Sequence, residues 1–151
     1  ESFRVFACLM CKIGLDNLYR EGFPLLHRLK EDCERSVREW APDLHSHLDM
    51  EGVQLGMYLD KWFLTLFVGC LPPSVVVGIW DAIIYEGSID IAVKVAVSLL
   101  RALGPRLGSL GLNDIADTFK VLGSSCGAPW EFCFMAQLLL SLAVSGQLPD
   151  I

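Results

Sequence analysis

Three groupings in the sequence hold side chains able to do chemistry. Cys8-Leu9-Met10-Cys11 is a CxxC, whose helical spacing brings two thiols together as a metal or redox site requires. No second pair stands at zinc-ribbon spacing and no βαβ pattern surrounds it, so the two read as core cysteines. His45 and His47 lie near Asp43 and Asp49. Positions two apart on a helix do not face one another, and metalloprotease histidines stand four apart. His47 therefore reads as a packing or capping residue near Gly52. Asp81 follows Trp80 inside an apolar run and reads as a carboxylate satisfied by a neighbouring donor. GxSxG, GxxxxGK[ST] and GxGxxG are all absent. The expectation is no metal, no cofactor and no catalytic residue in this chain.

The elements that would position these residues are helical. Phe23, Leu26, Leu29, Cys33, Val37 and Trp40 recur at spacings of three or four, with Arg28, Glu31, Glu34, Arg35 and Arg38 largely opposite. The spacing predicts a helix over 23–40. A short helix follows from Pro42 to about Glu51, with Gly52 as its left-handed terminator. The next runs from about Gly56 to Cys70, where Pro72 and Pro73 end it and open another that stops at Gly87. Ser88 can cap a helix to about Leu103, ended by Gly104-Pro105. Asn113 can cap a short helix to about Leu122, and a last helix spans about Pro129 to Ser145. SVVVGIW and IDIAVKVAV are rich in β-branched residues, but each belongs to a run longer than a usual strand, so helix is preferred. The fold expected is all-α, a compact array of seven or eight helices over 1–151.

The 151-residue chain is 53% apolar, with a net charge of -6. Its cationic run, HRLKEDCERSVRE, is interleaved with acids, which marks a solvated helix face rather than a nucleic-acid surface. Trp62–Trp80 carries no charge and approaches spanning length, but Pro72-Pro73 would break its middle. A buried helical hairpin is expected there, with no transmembrane span. Six cysteines without a framework, and no secretory signal at the start, favour a reducing cytosolic or nuclear setting.

The same run carries a resemblance. Trp62-Phe63-Leu64-Thr65-Leu66-Phe67, Leu71-Pro72, Ile79-Trp80-Asp81 and Glu86-Gly87 are similar in order and spacing to the second half of the TBC domain. That domain is the all-helical activator of Rab-type small GTPases. Leu44, His47, Leu48 and Gly52 resemble its Leu-x-x-His-Leu-x-x-x-Gly element, and Tyr58 the aromatic before the Trp-Phe run. FRVFACLM and LDNLYREGFPLL resemble the helices before it. The resemblance covers about residues 1–103. It departs at Gly78, where a basic residue is usual before Ile-Trp-Asp.

The resemblance implies a piece of a GTPase-activating protein that supplies scaffold and GTPase-docking surface. Its partners would be a Rab-type GTPase and the upstream half of the same domain. It implies a cytoplasmic protein in vesicle traffic, recruited to endomembranes through its partners. The family's catalytic Arg and Gln, in Ile-x-x-Asp-x-x-Arg and Tyr-x-Gln-Gly motifs, belong to its first half. Ile13-Gly14-Leu15-Asp16-Asn17-Leu18-Tyr19-Arg20 places Arg one residue late, and Gly52-Val53-Gln54-Leu55-Gly56 lacks the Tyr and inserts Leu. Neither Arg20 nor Gln54 is assigned catalysis, so the chain alone should be inactive. A catalytically dead TBC-like module that binds GTPases or scaffolds traffic proteins is the alternative. A half-domain would also leave an apolar face uncovered, which fits the composition and calls for an accompanying segment or oligomer.

Overall fold

The computed structural model describes residues 2–123, without the side chains of Ser2, Val5, Cys8 and 120–123. The expected helix over 129–145, with Cys126 and Cys133, lies outside the described residues. Among the described residues there are eight helices and no strand: α1 (Ser2–Lys12), α2 (Asp16–Tyr19), α3 (Pro24–Trp40), α4 (Pro42–Met50), α5 (Leu55–Leu64), α6 (Pro73–Glu86), α7 (Asp90–Leu107) and α8 (Leu112–Gly123). The fold is all-α. The two β-branched runs form α6 and the first half of α7.

The amphipathic α3 is the hub. It packs against α2, α4, α5 and α7, while α6 packs on α7. Its stripe of Leu26, Leu29, Cys33 and Val37 is buried. α7 is buried on nearly every side, from Ile91 through Leu103 to Leu107. Enclosure of this kind is what its near-continuous apolar sequence requires.

Two boundaries differ from those the sequence suggests. α5 stops at Leu64, not Cys70. Thr65 ends it, with its hydroxyl donating back to the Lys61 carbonyl at 2.7 Å. Beyond, the Phe67 amide reaches the Trp62 carbonyl at 2.9 Å and the Leu66 amide the Phe63 carbonyl at 3.2 Å. This is a Schellman closure, with Leu66 at the left-handed position that glycine usually holds. α7, by contrast, runs through Gly104 and Pro105 to Leu107. Pro105 removes the amide that would bond the Arg101 carbonyl, but full burial of Leu103 and Leu107 keeps the helix going.

Other boundaries agree. Pro42 and Pro73 open α4 and α6. Gly52 (φ 71°) closes α4 by the same Schellman pattern, and Gly87 (φ 67°) ends α6. The Ser88 hydroxyl accepts the Asp90 amide at 3.1 Å at the start of α7. α8 begins one residue before Asn113, and its Leu112 amide is taken by the Glu51 carboxylate at 3.1 Å. No helix among the described residues is long and apolar enough to cross a membrane.

Candidate functional site

The Trp62–Gly87 series folds around the α5–α6 turn. Trp62 and Phe63 leave the end of α5 into the core, and Leu66 and Phe67 enter it from the turn, all four buried. Phe63 meets Phe67 edge-on with centroids 6.4 Å apart. Trp62 lies 6.1 Å from Phe67 and 5.9 Å from Phe119 of α8, which itself stacks on Tyr58 at 4.3 Å. Such offset and tilted pairs are the favoured aromatic geometries. Leu66 (φ 46°) and Phe67 (φ 65°) both hold positive φ, which side chains rarely adopt. Trp80 of α6 secures them: its indole N–H donates to the Leu66 carbonyl at 3.2 Å.

From α6, Ile79 is fully buried, whereas Trp80 is half-buried, less than a core tryptophan, because its ring lies over the turn with its N–H spent on Leu66. Leu64 and Pro72 are also half-buried. Asp81, Glu86 and Gly87 are exposed. The Asp81 carboxylate makes no hydrogen bond or ion pair among the described residues. The expected neighbouring donor is not there, because Asp81 points outward.

The residues weighed for chemistry go to separate places. His45 Nδ1 lies 3.2 Å from Asp49, and His47 Nε2 lies 2.9 Å from the Leu110 carbonyl, which requires a proton on that nitrogen. His47 and Glu51 thus fasten the α7–α8 connection to α4. No group of three metal-ligating side chains occurs among the described residues. Cys11, expected in the core, is instead exposed; Cys33 is buried, and its surroundings push the thiol up to about 12, mainly by desolvation. Cys70 is raised in the same direction by burial.

Arg20 is mostly exposed and pairs with Asp16 at 3.7 Å. Ile13–Arg20 is not one helix: left-handed Gly14 (φ 78°) separates α1 from α2, and Arg20 follows α2 in extended backbone. Gln54 precedes α5, also extended. It lines a groove of about 480 Å³ that also holds Lys30, Glu34, His45 and Asp49. Lys30 is engaged there in an ion pair with Asp60 at 2.7 Å. No hydrogen bond or ion pair joins Arg20 to Gln54 among the described residues. A second groove of about 460 Å³, between α3 and α7, sets Arg28, Arg35 and Lys94 against Asp32, Glu39 and Asp90. Arg28 reaches Asp90 at 2.7 Å, and Arg35 pairs with Asp32. The charges cancel, so this groove does not select a phosphate.

The family model for the Rab-GTPase-TBC domain matches residues 1–107. The chain belongs to the TBC family. The TBC match takes in α1 through α7 and ends at the last residue of α7, so Phe119, which completes the aromatic cluster, comes from a helix beyond it. The GTPase-activating protein GYP5 of Saccharomyces cerevisiae is 33% identical over 120 residues, 80% of this chain and 13% of that protein. TBC1 domain family member 1 of Mus musculus is 31% identical over 121 residues, 80% of this chain and 10% of that protein. Rab GTPase-activating protein tbc-11 of Caenorhabditis elegans is 32% identical over 87 residues, 58% of this chain and 9% of that protein. This TBC chain therefore spans only 13% or less of the length of these relatives.

Sequence reasoning missed the Phe119 contact and the His47–Leu110 and Glu51–Leu112 clamps. Phe119 had a signal, since Ile115 and Phe119 stand four apart on one face of α8 and both are buried. The clamps had none, because each joins residues more than sixty positions apart.

Proposed function

We propose that this chain is part of a GTPase-activating protein for Rab-type small GTPases, forming the second half of its TBC domain. It braces the catalytic half and adds docking surface for the GTPase. The Arg and Gln that act on the nucleotide come from the upstream half. Such an Arg neutralises charge on the transferred phosphoryl group, and the Gln orients the attacking water. An arginine supplied this way accelerates hydrolysis by about 10³–10⁵.

The TBC match over 1–107 supports this reading most directly. The arrangement around it agrees. The aromatic and aliphatic members of the family series are spent on packing, Arg20 is paired with Asp16 outside a helix, and Gln54 sits in a mixed-charge groove. On α1, Phe3 and Phe6 are 79% and 58% exposed at a spacing of three, an apolar edge suited to the upstream half. The protein works in the cytoplasm and reaches endomembranes through its partners.

The test uses a chain extended to include the upstream half. Arg20→Ala and Gln54→Ala should each leave single-turnover GTP hydrolysis within about twofold of the unmodified protein. A loss of about a hundredfold or more in either would return that residue to catalysis.

A further inference from the structure

The outward face of α6 has no role in the core. Ser74, Val77, Gly78, Asp81, Ile84 and Tyr85 recur at helical spacing along it. Val77 is 59% exposed, Ile84 42% and Tyr85 85%. Apolar side chains thus flank a central carboxylate with no partner among the described residues. Helix α6 contains two acids, Asp81 and Glu86, both exposed, and no base.

We propose that this face is a docking surface for an amphipathic helix of a partner protein, one that sets a lysine or arginine between apolar residues. Covering Asp81 strips its water, and a matching cation that also donates a hydrogen bond compensates for that loss most strongly. Apolar residues a turn before and after the cation would meet Val77 on one side and Ile84 with Tyr85 on the other, the spacing by which helices read one another. Charge disfavours the other occupants. Residues 124–151 contain Glu131 and Asp150 but no Lys, Arg or His. A second copy docked symmetrically would oppose Asp81 to Asp81. An anionic membrane would be repelled by Asp81 and Glu86. The inference does not depend on GTPase activation.

The test uses the full 151-residue chain and two fluorescein-labelled synthetic helical peptides of Leu, Ala and Gln. They differ only in a central Lys or Glu. The Lys peptide should bind at least about tenfold more tightly by fluorescence anisotropy. Asp81→Lys should invert that order, and Asp81→Asn, which changes shape least, should level it. Hydroxyl-radical footprinting should find Tyr85 reactive in the free chain and protected by the Lys peptide. Failure of the Lys peptide to bind, equal affinities in the unmodified chain, or an order unmoved by Asp81→Asn would overturn the proposal. So would prior protection of Tyr85, whether independent of concentration (the chain's own tail), rising with concentration (a second copy), or produced by phosphatidylserine vesicles (a lipid surface).

Discussion

Leu66 and Phe67 pay a backbone cost that their burial and one indole hydrogen bond offset. Each residue at positive φ costs about 1–3 kcal/mol, and nothing in their side-chain types announces it. What the sequence did show was the company they keep: Trp62, Phe67 and Trp80 stand out as core candidates by type. Two of the three are buried, and Trp80 differs because its N–H seeks a carbonyl at the rim. Trp80→Phe should cost about 1 kcal/mol in urea melts, the value of one hydrogen bond. Trp80→Ala should cost about 2–3 kcal/mol, less than a fully buried tryptophan. Equal costs for the two would mean that the indole N–H alone secures the turn, and no cost for Trp80→Phe would mean that the ring does. Cys33 gives a pH prediction. Its thiol is pushed up from an ordinary value of 9.0 to about 12, mainly by burial. The unfolded chain therefore loses that proton first, so stability falls as pH rises above 9, at up to about 1.4 kcal/mol per unit. Cys33→Ala should flatten that slope, and native Cys33 should resist alkylation under conditions where Cys11 reacts. A slope unchanged by the substitution would place the ionising group elsewhere.

At the scale of elements, legibility followed contrast. α3 was readable because charged and apolar residues alternate around it, and α4 and α6 because Pro opens and Gly closes each. α5 was misjudged by six residues because positions 62–71 hold no charge and so carry no helical phase. α7 was cut short at Gly104-Pro105, punctuation that burial of Leu107 overrides. The Gly52 closure can be tested cleanly, because a Cβ there meets nothing within 4 Å and only backbone strain is at stake. Gly52→Ala should cost about 1–2 kcal/mol in denaturant melts. No measurable change would mean that the α4 terminus can end in another conformation.

For the whole molecule, composition and motif point the same way. A chain this apolar must enclose α7, as it does, and still exposes Phe3, Phe6, Val77, Ile84 and Tyr85. The family was legible because its residues are tied to packing geometry around one turn. The site was less legible: Arg20 was set aside on its register and Gln54 on the missing Tyr and inserted Leu of its motif, whereas their surroundings depend on contacts between distant segments. The most direct test is single-turnover GTP hydrolysis by a panel of Rab-type GTPases, with this chain alone and with a chain extended by the upstream half. The extended chain should accelerate hydrolysis by about a thousandfold or more, and this chain alone should not. Binding without acceleration by the extended chain would make the protein a GTPase-binding scaffold. Acceleration of that size by this chain alone would contradict the assignment of catalysis to residues outside it.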